Sequence, residues 1–228
     1  MIRLRLLLGC WLILNPTIAE PLRVLFVGNS LTYTHDLPGM LTQVAKAYGQ
    51  EVDTECLCLP NYAVVDHLDF GPLEHKLLNE DWDYVVVQQG PSSQAEGFDL
   101  LLEAGEKIQA ILASKDTQLV FFMVWPSRLY YHTFDGVVSH YGEAASACGA
   151  DLVPVGIHWQ DYQVEYDSWE LYGPDGFHPS VAGSFLSVLC FIQFLWPTQD
   201  IRALAYFSYS KWVDKVTFQK IVKVVWEE

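Results

Sequence analysis

Residues 23–38 read RVLFVGNSLTYTHDLP: an apolar, β-branched run that stops at Gly28-Asn29-Ser30 and leads into an amphipathic pattern. That order is the signature of a strand entering a helix through a tight turn. Ser30 stands at the junction, where two roles are open to it. It could be a nucleophile presented at the end of the strand, or a cap for the free backbone N–H groups that begin any helix, a task that Ser and Asn commonly perform. The stretch alone does not choose between them.

Working outward, the same alternation recurs along the chain. Short apolar runs fall at residues 24–27, 52–57, 84–87, 119–124 and 152–155, with helical stretches between them. Leu37, Met40, Leu41, Val44, Ala45 and Tyr48 follow the i, i+3, i+4, i+7 order of one helical face, and Phe98, Leu101, Leu102, Ile108, Ile111 and Leu112 repeat it after the third run. Strands separated by helical crossovers pair in parallel, so the expected architecture is a three-layer α/β/α sandwich around a mostly parallel five-stranded sheet. Residues 181–196 are apolar nearly all round but carry Ser184, Ser187 and Gln193. They are too few to span a bilayer, which predicts a helix buried against the sheet. In such a sheet, ligands bind beyond the carboxyl ends of the strands. Ser30, residues 60–62, residues 88–93 and Trp125-Pro126 all fall there.

Length and composition allow one well-buried domain over residues 20–228: the chain has 228 residues and is 51% hydrophobic. Residues 1–19 read differently. Arg3 and Arg5 precede an apolar run from Leu6 to Leu14, and Thr17-Ile18-Ala19 offers small residues for cleavage. This predicts a secretory signal peptide and a secreted or periplasmic protein. Loss of residues 1–19 removes two arginines and no acid, taking the formal charge from −15 to −17. A field of that sign repels nucleic acid and anionic membranes. Of the cysteines that remain, Cys56 and Cys58 share a face of a predicted strand, while Cys148 and Cys190 sit in apolar helical patterns; free thiols are expected. No C-x-x-C pair, H-E-x-x-H or close histidine cluster suggests a metal.

A serine nucleophile needs a base within hydrogen-bond reach, itself oriented by a third group. Near the C-terminus the chain reads LYGPDGFHPSVAGSFL, which places Asp175 and His178 three residues apart on a Gly/Pro-rich turn that opens the last long helix. Such a turn lets the carboxylate approach one imidazole nitrogen while the other points outward. The six remaining histidines, His35, His67, His75, His132, His140 and His158, have no evident partner and are expected to be structural or exposed.

VLFVGNSLT resembles the first block of the SGNH/GDSL hydrolase superfamily with Ser30 at the nucleophile, and DGFHPS resembles its last block, Asp-x-x-His. WDYVVVQQGPS, MVWPSR and LVPVGIHW extend the likeness along nearly the whole chain after residue 19, in a branch that begins with a Gly-Asn-Ser form of the motif. The resemblance implies a flavodoxin-like SGNH fold and an esterase without metal or organic cofactor, working through Ser30, His178 and Asp175 and an acyl-enzyme. The implied substrate is a small acyl ester, with an O-acetylated carbohydrate as one candidate. A carbohydrate acyltransferase and a non-catalytic glycan-binding module are the alternatives. The chain departs from the family at the oxyanion site, where a Gly after strand two and the Asn of Gly-x-Asn after strand three are missing. The substitutes expected are the Ser30 N–H, Asn61 and the Gln89 side-chain amide, with Ser92 aligned to the absent Asn. The turn Gln89-Gly90-x-Ser92 also resembles that of sialate-acetylesterase-like relatives. Trp125, Trp169 and Tyr172 are expected to line the substrate site; Trp159 and Tyr166 share their aromatic-rich neighbourhood, where stacking on a sugar and plain packing are equally open.

Overall fold

The computed structural model describes residues 20–226. The signal-peptide expectation for residues 1–19 falls outside them. Five strands form one parallel sheet: β1 (Leu22–Gly28), β2 (Val52–Cys58), β3 (Tyr84–Val87), β4 (Gln118–Phe122) and β5 (Asp151–Val153). Their spatial order is β2-β1-β3-β4-β5. The chain therefore reverses its direction of winding between β1 and β3, and a doubly wound sheet opens a crevice at such a point.

Among the described residues ten α-helices connect and cover the sheet: α1 (Ser30–Tyr33), α2 (Leu37–Ala47), α3 (Val64–Phe70), α4 (Leu73–Asn79), α5 (Ala95–Leu112), α6 (Phe134–Cys148), α7 (Val155–Tyr166), α8 (Val181–Leu195), α9 (Tyr206–Tyr209) and α10 (Lys215–Trp226). Helices α2, α8 and α10 pack together as one layer, and α3, α4, α5 and α6 as the other. The three-layer sandwich predicted from the alternation is the observed one. Helix α8 is buried on nearly all sides, as its uniform apolarity required, and its Phe191 ring meets Phe26 of β1 and Phe122 of β4 edge to face at 5.3 and 5.2 Å. Among the described residues no helix is long and apolar enough to cross a membrane.

Two local expectations are corrected. The strands predicted over 119–124 and 152–155 end earlier, at Phe122 and Val153. Pro154 has no N–H for the ladder, so β5 stops before it and Val155 begins a helix. Cys56 and Cys58 are disulfide-bonded, not free, with Cα atoms 5.3 Å apart. Positions i and i+2 on a strand share a face, and this separation lies within the disulfide range; β2 is also an edge strand, with no neighbour on one side to crowd the bridge. Cys148 and Cys190 are free and buried, as expected.

Candidate active site

The cap of α1 in residues 23–38 is Asn29, not Ser30. Its side-chain oxygen accepts from the Leu31 N–H at 3.0 Å and caps α1, which leaves the Ser30 hydroxyl uncommitted to the backbone. Ser30 Oγ lies 2.8 Å from Nε2 of His178, and His178 Nδ1 lies 2.5 Å from Oδ2 of Asp175. The three residues singled out in the sequence, 148 positions apart at their widest hydrogen bond, form one continuous chain.

Beneath Asn29 sits a polar lock that the sequence did not reveal. Gln88, just past β3 and almost fully buried, accepts through Oε1 from the Asn29 N–H at 3.1 Å and from the Thr32 hydroxyl at 2.8 Å, and donates through Nε2 to Asn29 Oδ1 at 3.1 Å. Gly28 is needed at this spot. A Cβ there would lie 2.6 Å from Gln88 Oε1 and 2.8 Å from Thr32 Oγ1. From α3, the wholly buried His67 donates Nε2–H to the Gly28 carbonyl at 2.8 Å, while its Nδ1 has no partner among the described residues. Burial holds the imidazole of His67 below its ordinary pKa. The expectation that His67 is structural therefore holds, although its place directly under the nucleophile turn was not legible.

The turn that carries Asp175 and His178 is held by its own hydrogen bonds. Asp175 Oδ1 accepts from the Phe177 and His178 N–H groups, both at 3.0 Å, so the carboxylate organises the loop while its second oxygen holds the imidazole. The imidazole contact is the largest of several that keep the Asp175 carboxyl below the usual range, the Phe177 N–H next. Gly176 adopts the left-handed φ of 69° that the turn demands. Its carbonyl accepts from Arg128 N–H at 2.8 Å, Pro179 O accepts from the His35 ring at 3.2 Å, and Trp125 Nε1 donates to the Phe177 carbonyl at 3.0 Å.

This last bond corrects one expectation. Trp125 does not line the site: it is fully buried and stacked on Trp159, ring centroids 3.4 Å apart. Tyr172 is buried as well, its hydroxyl donating to the Pro126 carbonyl at 2.9 Å, and Trp169 is half-buried beneath the Arg128 guanidinium. These aromatics, with Trp159, pack the underside of the Asp175–His178 turn. An aromatic cluster beside a functional loop looks the same in sequence whether it faces ligand or core.

Ser30 opens into a pocket of about 370 Å³ walled by Asn61, Tyr62, Ala63, Gln89 and Gly90. Asn61 is exposed there with a left-handed φ of 61°. Gln89 reaches the pocket wall, but its amide is spent elsewhere: Nε2 donates to Ser92 Oγ at 2.8 Å and to Gly97 O at 2.9 Å, and Oε1 accepts from Val64 N–H at 3.3 Å. Neither amide hydrogen is left for an oxyanion, so Gln89 is a tether between loops. Ser92 is likewise engaged, accepting from Gln89 and donating to Gly90 O at 3.1 Å. The Gly90 N–H, in contrast, has no acceptor among the described residues, and the space above Gly90 is open.

A serine, a histidine and a carboxylate hydrogen-bonded in series at the switch point of a flavodoxin-type sheet form an arrangement of the serine-hydrolase type. No protein-family model matches the chain, and no curated protein matches it significantly. Solved structures do. A protein from Slackia heliotrinireducens described as "a putative SGNH hydrolase" is 25% identical, with a TM-score of 0.65 over 77% of this chain and 100% of that one. A DUF4886 family protein from Bacteroides uniformis superposes with a TM-score of 0.78 over 90% of this chain and 93% of the other, at 16% identity. An acetyl-xylooligosaccharide esterase from Geobacillus Stearmophilus gives 0.60 over 77% and 94%, at 14% identity. The fold of the chain closely matches these SGNH/GDSL hydrolase-type structures, and the chain is similar to them.

Proposed function

We propose that this protein is a serine esterase that cleaves a small acyl ester through an acyl-enzyme. The observation that carries the reading is the unbroken relay from Ser30 Oγ through the His178 ring to Asp175. Ser30 Oγ attacks the ester carbonyl carbon and its proton passes to His178 Nε2; the C–O bond to the alcohol then breaks, and the alcohol oxygen takes that proton. Water repeats the sequence, releasing the acid and restoring Ser30. Asp175 keeps the Nδ1 proton in place and stabilises the imidazolium. The oxyanion donors we assign are the Ser30 N–H, which at the first position of α1 has no carbonyl partner within the helix, the Asn61 side chain and the Gly90 N–H. The pocket of about 370 Å³ suits a short acyl group. An O-acetylated carbohydrate, the substrate class named for the Geobacillus neighbour, is the rival to a less polar acetyl ester.

A fluorophosphonate probe should label Ser30, and Ser30→Ala and His178→Ala should abolish both labelling and hydrolysis of an aryl acetate. Unchanged turnover in either folded variant would sink the mechanism and favour a binding module. The basic start and short apolar run support export, so N-terminal sequencing of periplasmic or secreted protein should begin at Glu20; chains that retain Met1 in the membrane would contradict it.

A further inference from the structure

A second, larger cleft of about 910 Å³ adjoins the Ser30 pocket, and Pro91, Ser92, Gly97 and Phe177 wall both. Its own walls are Pro126, Leu129, Tyr130, Asp175 and Gly176, with the 3₁₀ segment Arg128–Thr133 along one side. Leu129 is 77% exposed and Tyr130 59% exposed. Two large apolar side chains left in water next to a catalytic serine are a cost to the free protein that a ligand can remove.

From this placement we infer that the large cleft binds the alcohol part of the ester, that this alcohol is bulky and predominantly apolar, and that the acyl group stays in the small pocket. The inference rests on the esterase reading. His178 Nε2 must reach both Ser30 Oγ and the departing oxygen, so the alcohol leaves on the imidazole side of the tetrahedral carbon. The residues flanking the imidazole, Asp175 to Phe177, wall the large cleft. The opposite side holds Asn61 and Gly90, where the carbonyl oxygen is received, and only the small pocket remains there for the acyl chain. Pro126, Leu129, Tyr130 and Phe177 offer contact surface to an apolar ring or branched skeleton, while polar groups such as Arg128 and His132 share the walls; hydroxyls seated against the apolar face would be left unpaired, which is costly.

The test is a pair of ester series. With acetyl fixed, kcat/KM should rise by at least about tenfold from ethyl to 2-naphthylmethyl acetate, since each apolar group seated in a matching pocket gives gains of that order. With benzyl alcohol fixed, it should fall from acetyl through butyryl to octanoyl. Tyr130→Ala and Leu129→Ser should each lower the naphthylmethyl-to-ethyl ratio, a quantity that does not depend on the folded fraction. Activity that rises with acyl length and ignores the alcohol overturns the assignment, as does an acetylated xylo-oligosaccharide outrunning naphthylmethyl acetate. If no ester turns over and the fluorophosphonate leaves Ser30 unlabelled, the esterase reading itself falls and takes this assignment with it.

Discussion

Of the two side-chain donors expected from the sequence, Asn61 and Gln89, the structure keeps only Asn61 free to act. Asn61 projects from a left-handed residue at the mouth of the Ser30 pocket, whereas Gln89 ties the turn after β3 to α3 and α5. Asn61→Ala should therefore lower kcat by about 10²- to 10³-fold with little change in the unfolding midpoint, the usual loss for one oxyanion donor. Gln89→Ala should act first on stability, by about 1–3 kcal/mol, because it leaves the Val64 N–H and Gly97 carbonyl without their partner. A denaturant titration beside a kcat measurement distinguishes the two, and the reverse pattern would reinstate Gln89 as the donor. Asp175→Asn keeps the size of the side chain but loses the charge that holds the Nδ1 proton, and kcat should drop by about 10⁴-fold. In the sequence, Ser30, Asp175 and His178 could be picked out because their types and spacing match a chemical need. The use made of an amide hydrogen could not, since it depends on which carbonyl the fold brings beside it.

At the level of elements, the turn from β1 into α1 is held from below by α3 and by the residue that follows β3. His67 gives this arrangement a pH dependence. Its pKa is lowered chiefly by burial, against the opposing hydrogen bond to Gly28 and the charge of Asp66, so the unfolded chain binds its proton before the folded one does. The stabilisation is full above the ordinary histidine value near 6.5 and is lost as the pH falls below it. Urea midpoints should drop between pH 7 and pH 5, and His67→Gln should shrink that difference; an equal drop in the variant would refute the role. The alternation of strands and helices was readable because period-2 and period-3.6 patterns differ sharply. Strand ends were not, since Pro154 ends β5 by what its nitrogen lacks. The Cys56–Cys58 bridge depends on a local Cα separation that the pattern does not specify.

Across the whole molecule, the Ser30–His178–Asp175 relay depends on two distant segments meeting at the same sheet edge. Ser30 is fixed by the sheet, while the Asp175–His178 turn rides on Trp125, Trp159 and Tyr172 and on α8, whose Gly183 comes so close to Trp159 that a Cβ there would lie 2.5 Å from the ring. Trp159→Ala should cost about 3–5 kcal/mol in a chemical unfolding experiment, as for other large buried aromatics. Trp125→Phe keeps most of the stack but deletes the bond to the Phe177 carbonyl. Its kcat should fall between about 10- and 100-fold with KM little changed, the signature of a misplaced base. Wild-type kcat in that variant would show that the turn positions itself.

Sequence by itself determined the sandwich, the buried α8 and the three residues of the relay, because hydrophobic period and the chemistry of Ser, His and Asp are properties of residues taken in order. Only the tertiary structure decided that Asn29 caps α1 and frees Ser30, that Gln88 locks the nucleophile turn, that Gln89 is a tether, and that the tryptophans expected to face substrate support the catalytic loop instead. The Gln88 lock and the support from Trp125 depend on polar atoms brought within a few ångströms of each other across 59 and 52 residues of chain, distances set only when the layers pack. The Asn29 cap and the Gln89 tether are closer in sequence, but which of several competing partners each amide takes is decided by the folded backbone.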